Sequence, residues 1–152
     1  MYEKDGIIFR KMDFKDINGV VKIESRSFSL PWSTAMFNEE LNNPIAFYIV
    51  AVIEQEIVGY AGMWLIIDEA HITNIAVDPK HRRRNIASTM VRLLIEKARE
   101  MNLKAMTLEV RTGNFEAIEL YKRFGFKTEG LRKGYYREDG EDALIMWLLL
   151  ES

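Results

Sequence analysis

The sequence predicts an α/β fold, a mixed and mostly antiparallel sheet flanked by helices. Three β-rich runs, residues 46–53, 57–66 and 70–77, succeed one another with only short polar turns between them. Connections that short join antiparallel neighbours. Helical periodicity stands on either side of this block rather than interrupting it. After residue 101, strand and helix patterns alternate, as they do in a sheet packed against helices.

Residues 7–11 read as a first strand. Asp13 caps a helix in which Ile17, Val20, Val21, Glu24 and Phe28 recur at helical spacing. Ser33 caps a second helix. Trp32 before that cap and Phe37 after it stand where a hydrophobic staple would form. Asn43-Pro44 ends this helix, because the residue before proline is pushed out of the helical region. The three β runs follow, with turns at Glu54-Gln55-Glu56 and Asp68-Glu69. Asp78-Pro79 stops the third. A long amphipathic helix covers about 86–101, with Ile86, Met90, Leu93, Leu94 and Ala98 on one stripe. Residues 106–110 form another strand. Asn114 opens a helix that ends near Phe124-Gly125. Asp139-Gly140 reads as a hairpin turn before a final apolar strand at 143–150. The expected order is β-α-α-β-β-β-α-β-α-β-β.

At 152 residues and 48% hydrophobic content, the chain suits one compact domain with a sizeable core. The formal net charge of −2 gives no global attraction to nucleic acid or anionic membrane. With no cysteine, a disulfide framework, a zinc–thiolate site and a thiol nucleophile are excluded. Only two histidines are present, so no metal site is expected. The charged N-terminal stretch lacks a signal-peptide core. No apolar run reaches the roughly 20 residues of a membrane span. A cytoplasmic location is expected.

One segment has the makings of an anion site. From Val77 to Met90 a strand ends, a basic turn follows, and an amphipathic helix begins. A helix N-terminus offers free N–H groups and the positive end of a dipole, which suits a pyrophosphate. Lys80, His81, Arg82, Arg83 and Arg84 add charge. Asn85, Ile86, Ala87 and Ser88 enter the helix, and most are small. From the residues alone, a solvated basic turn or a nucleic-acid patch competes with this reading.

Residues 82–87, RRRNIA, resemble the cofactor motif Gln/Arg-x-x-Gly-x-Gly/Ala of the GNAT superfamily of N-acetyltransferases. Asn85 stands where glycine is usual, and asparagine tolerates the left-handed backbone better than most residues. The resemblance extends along nearly the whole chain. It is carried by Phe28-Ser29-Leu30-Pro31-Trp32-Ser33, Asn74-Ile75-Ala76-Val77-Asp78-Pro79 and Leu108-Glu109-Val110-Arg111. Further carriers are Asn114, Ala117, Leu120-Tyr121, Gly125-Phe126, Tyr135-Tyr136 and Glu141-Asp142-Ala143. It is narrower than the superfamily, pointing to the ribosomal-protein-alanine N-acetyltransferases.

The resemblance implies a GNAT fold with a splayed central strand pair and acetyl-CoA as co-substrate. It implies an N-terminal protein amine as acceptor, with ribosomal protein S18 as a candidate partner. Arg82 to Ser88 would hold the phosphates. Ile75, Ala76 and Val77 would offer main-chain groups to the pantetheine arm, and Asn114 would bond it. Asn114 equally suits a plain N-cap.

By resemblance Glu109 is the general base and Tyr121 the general acid. By position, Glu109 shares a strand face with Thr107 and Arg111, and partial burial is expected to raise its pKa. A pair with Arg111 or a lysine is its bland alternative; Tyr121's is an ordinary core aromatic. Leu30, Pro31 and Trp32 would flank the acceptor peptide, with Tyr135 and Tyr136 as the opposite wall. Glu24 falls on the apolar stripe of its helix, where a carboxylate needs a partner. It would bind the substrate ammonium or pair with an arginine. Competing functions are acetylation of lysines or small amines, a non-catalytic acyl-CoA-binding module and, weakly, nucleic-acid binding through residues 80–84.

Overall fold

The computed structural model describes residues 2–150. One eight-stranded sheet runs through the molecule in the order β1-β2-β3-β4-β5-β6-β8-β7. Its strands are β1 (Tyr2–Lys4), β2 (Ile7–Lys11), β3 (Ala46–Ile53), β4 (Glu56–Ile66), β5 (Glu69–Val77), β6 (Ala105–Arg111), β7 (Lys127–Arg132) and β8 (Ala143–Leu149). All neighbours are antiparallel except β5 and β6. The helices are α1 (Ile17–Ser27), α2 (Thr34–Asn42), α3 (Ile86–Glu100) and α4 (Phe115–Arg123).

Helices cover both faces. Val20 and Ile23 of α1 and Phe37 of α2 pack with Tyr48, Val50 and Tyr60 on one side. Ile86, Met90, Leu94 and Ala98 of α3, with Ile118 and Tyr121 of α4, pack with Ala61, Met63, Met106, Leu108 and Met146 on the other. No helix among the described residues is long and apolar enough to cross a membrane.

Local sequence signals account for the helix ends. Asp13 caps a 3-10 turn (Phe14–Asp16) through a capping box, and that turn runs into α1. The Ser33 hydroxyl accepts from the Met36 N–H at the start of α2. The rings of Trp32 and Phe37 meet at 5.3 Å, forming the expected staple. Gly125, at φ 99°, ends the run after α4.

Two expectations need correction. Residues 7–11 form the expected strand, but it is not the first: Tyr2–Lys4 precedes it and pairs with it across a two-residue Asp5-Gly6 turn. Both turn residues have positive φ, 55° and 79°, as a type I′ hairpin requires. By contrast, Asp139-Gly140 is not a two-residue hairpin turn. The β7–β8 ladder begins at Arg132↔Ala143, so the dipeptide lies inside a longer connection. There the Gly140 N–H bonds the Tyr136 carbonyl at 2.7 Å.

The β4–β5 turn carries a misfit. Ile67 is 94% exposed and has φ 56°. A β-branched residue in the left-handed region is strained. Ile67→Asn is expected to stabilise the fold by about 0.5–1 kcal/mol. A higher urea midpoint at unchanged slope would show it.

Candidate active site

The site opens where two parallel strands part. β5 and β6 pair only at Glu69↔Ala105, Ala70↔Met106 and His71↔Thr107. Beyond His71 the strands diverge, so residues 72–77 have an edge without a β6 partner. The β4–β5 register slips at the same place, Gly62 facing Asn74 and Met63 facing Ile72. Thr73 is therefore the extra residue of a β-bulge. The splayed strand pair is present as expected.

A cavity of about 660 Å³ fills the gap, lined along β5 by residues 72–77 and along β6 by Leu108, Glu109, Val110 and Arg111. A larger groove, about 820 Å³, lies on the α1 side, but its Arg10 and Arg26 are tied to Asp16 and Asp78. Neither predicted catalytic residue reaches it.

At one end of the cavity stands the N-terminus of α3. Asn85 adopts φ 59°, ψ 25° and makes no side-chain cap. Thr89 N–H to the Asn85 carbonyl, 3.0 Å, is the first helical bond, so the N–H groups of Ile86, Ala87 and Ser88 have no helical acceptor. Arg83 is also left-handed, φ 66°. Arg82, Arg83, Asn85, Ile86, Ala87 and Ser88 all line the cavity. Arg84 does not; its guanidinium lies 3.4 Å from the His81 ring. Asparagine reaches the angle that glycine usually supplies. Asn85→Gly is therefore expected to change CoA affinity by less than about threefold, whereas Asn85→Val, strained at this φ, weakens it about tenfold or more. Calorimetric titration with CoA reads both.

Glu109 is largely buried on β6, but Arg111 is not its partner. The His71 ring holds it, with Nε2 2.7 Å from Glu109 Oε1. This bond outweighs desolvation, and Arg132 and Tyr135 add to it, so the carboxyl sits below its usual range. The expectation that burial would raise its pKa is thus reversed. Arg111 instead reaches Glu138 at 3.1 Å, Asp139 at 2.8 Å and Glu141 at 2.9 Å. Its guanidinium also lies 4.0 Å from the Tyr136 ring centre. It ties the β7–β8 connection to the end of β6.

Tyr121, 4% exposed, packs edge-on against Phe126 and still lines the cavity. Burial pushes its phenol pKa well up. Asn114 is the N-cap of α4, its Oδ1 accepting from the Ala117 N–H at 3.2 Å. It too lines the cavity. The cap uses Oδ1 and leaves the Nδ2 amide available, so the two roles are compatible.

Glu24, Phe28, Leu30, Trp32 and Tyr136 also line the cavity. Pro31 and Tyr135 are not on its wall. Tyr135 packs against Tyr136, with ring centres 5.0 Å apart, and lies near Arg132. Glu24 is 2% exposed and, among the described residues, pairs with no arginine. It accepts from the Tyr60 phenol and from the Trp32 backbone N–H, the latter at 2.9 Å. Burial, only partly offset by these two bonds, raises its pKa. Glu24 thereby anchors the loop between α1 and α2.

Sequence reasoning missed His71, Phe28 and Tyr60. The one available signal was a lone histidine in the apolar run AHITNIAV.

Known proteins share this architecture. Residues 17–126 match the acetyltransferase (GNAT) family. A Bacillus subtilis protein, provisionally named ribosomal protein bS18-alanine N-acetyltransferase, is 42% identical over 144 residues, covering 94% of this chain and 95% of that one. The ribosomal protein bS18-alanine N-acetyltransferase of Escherichia coli K12 is 33% identical over 141 residues, 90% and 93% of the two chains. The crystal structure of the ribosomal-protein-S18-alanine N-acetyltransferase from Escherichia coli superposes with a TM-score of 0.89 at 28% identity, covering 96% and 95%. The chain belongs to the GNAT acetyltransferase family, and within it is most like the ribosomal bS18-alanine N-acetyltransferases just described.

Proposed function

We propose that the protein transfers the acetyl group of acetyl-CoA to the N-terminal α-amine of ribosomal protein bS18, in the cytoplasm. The relatives' names supply the substrate. The observation that carries the chemistry is Glu109, on the cavity wall and held from behind by His71, where β5 and β6 part.

The residues present fit acetyl-CoA. The unbonded N–H groups of Ile86, Ala87 and Ser88, with Arg82 and Arg83, suit a pyrophosphate. The open edge at Ile75, Ala76 and Val77 suits the amide-bearing pantetheine arm as an added strand, and Asn114 Nδ2 adds a donor. Bound there, acetyl-CoA supplies an activated acyl group. A backbone N–H of 75–77 polarises the acyl oxygen. Glu109 takes up the amine's proton, directly or through water, while His71 fixes the carboxylate's orientation. Tyr121 stays protonated in its buried setting and donates to the departing sulfur. The same desolvation makes a thiolate there more basic and so a better proton acceptor.

A base held at low pKa needs an amine that is already partly neutral. At pH 7 roughly one α-amine in ten is uncharged, against fewer than about one lysine in a thousand. This favours an N-terminus over a side chain. The Glu24-anchored loop, with Phe28, Leu30 and Trp32, and Tyr136 opposite, forms an apolar mouth for a flexible chain end.

Mass spectrometry of bS18 from cells with and without the gene tests the assignment. The expected result is loss of the N-terminal acetyl group in the deletion strain and its return on complementation. Full acetylation without the gene would exclude bS18 as the substrate.

A further inference from the structure

On the side of the sheet away from α3, a buried carboxylate is held by uncharged donors. Glu40 of α2 is among the buried charged residues, and among the described residues it forms no salt bridge. Three donors converge on it. They are the Tyr48 phenol at 2.7 Å, the Trp64 indole N–H at 2.8 Å and the Asn43 amide at 3.4 Å. The same phenol lies 3.0 Å from Thr73 Oγ1 and 3.1 Å from Asn74 Oδ1. Its proton goes first to the carboxylate, the nearest of the three. The Thr73 hydroxyl then donates back to the phenol oxygen.

The path of this tether is specific. Tyr48 stands on β3 opposite Gly62 of β4, and Gly62 stands opposite Asn74 of β5. A Cβ on Gly62 would lie 2.2 Å from the Tyr48 ring. The phenol therefore crosses β4 over a residue with no side chain and reaches the β5 bulge. Thr73 and Asn74, at the far end, are themselves cavity wall. A buried carboxylate without a cation is a poor way to gain stability; apolar replacements of equal shape often do better. What such a network does well is fix one arrangement of strands among several close in energy.

We propose that Tyr48, oriented by Glu40, is a positioning residue that pins the β5 bulge and so sets the width of the cofactor cleft. This rests on the reading of that cleft as the acetyl-CoA site. With the tether cut, the bulge at Thr73 is free to shift. The β5 edge is then no longer presented at one fixed distance from β6.

The test is CoA affinity by calorimetry, with steady-state kinetics and thermal unfolding on the same full-length variants. Tyr48→Phe keeps the ring over Gly62 and removes only the oxygen. It is expected to raise the Kd for CoA and the KM for acetyl-CoA about tenfold, the size of one or two lost hydrogen bonds. The KM for peptide should stay within about twofold, since the mouth is not touched. Glu40→Ala should reproduce this, and Glu40→Gln, which keeps an acceptor for the phenol, should restore most of the affinity. If Tyr48→Phe does not fold, Thr73→Val cuts the tether from its other end with the same expectation. Folded variants that bind CoA as the wild type does, with only their melting point lowered, would overturn the proposal and leave the functional reading intact. A wild-type protein that binds no CoA would remove both.

Discussion

Replacing Glu109 by glutamine is expected to lower kcat by about 10²–10⁴-fold, the usual worth of a positioned general base. The KM for acetyl-CoA should change little, because the phosphate end of the cavity lies away from this residue. The partner makes the prediction sharper. The His71 hydrogen bond is the largest influence on the Glu109 pKa, and it acts against desolvation. In the wild type, the enzyme's own part of the acid limb of kcat/KM, separate from ionisation of the amine, should therefore lie below the ordinary carboxylate range. His71→Ala removes the lowering influence and leaves the desolvation. The acid limb should then move up in pH, with a smaller loss of kcat than in Glu109→Gln. The stability linked to Glu109 has the matching sign. It is present above the unfolded carboxylate pKa and is lost as pH falls through the lower folded value. An acid limb that does not move in His71→Ala would remove the pair from the mechanism.

Glu24→Ala is expected to destabilise the protein by about 1–3 kcal/mol and to raise the KM for peptide several-fold. The alanine leaves the Tyr60 hydroxyl and the Trp32 N–H without their acceptor. It also relieves the desolvation of the carboxyl, which limits the net loss. The pH dependence separates the two effects. The folded pKa of Glu24 is raised by burial. Its contribution is thus fully present below the unfolded carboxylate pKa and declines as pH rises through the folded value. The stability gap between wild type and variant should be wider at acid pH than at neutral pH. Urea titrations at two pH values read this directly. The acetyl-CoA KM serves as the control, and it should remain near the wild-type value.

Much of the fold was legible because its signals are local. Ser33 as a cap, the Trp32–Phe37 staple and the glycine after Phe124 each act within a few residues. Asn85 belongs with them. Its left-handed angle follows from its place in the loop motif and from asparagine's tolerance of that region. Asp5-Gly6 carries the same local signal as Asp139-Gly140, and of the two it is Asp5-Gly6 that closes a two-residue hairpin. Asp139-Gly140 lies in a connection held by Arg111, from a strand far away in sequence.

The pairings inside the site were not legible, for a related reason. His71 and Glu109 lie 38 positions apart, and Tyr60 and Glu24 lie 36 apart. Only the parallel pairing of β5 with β6, which ends at His71↔Thr107, and the packing of α1 on β4 bring these pairs together. Sequence placed Glu109 on the correct face of its strand but could not supply the histidine on the neighbouring strand. The sign of its pKa shift therefore came out reversed.

The most direct test offers purified protein and acetyl-CoA a peptide that carries both a free N-terminal alanine and an internal lysine. A twin peptide with its α-amine blocked is run beside it. Mass spectrometry of the fragments locates the acetyl group. The predicted result is acetylation at the α-amine alone, and none of the blocked twin. Acetylation of the lysine at a similar rate in both peptides would contradict the assignment of this site to protein N-termini.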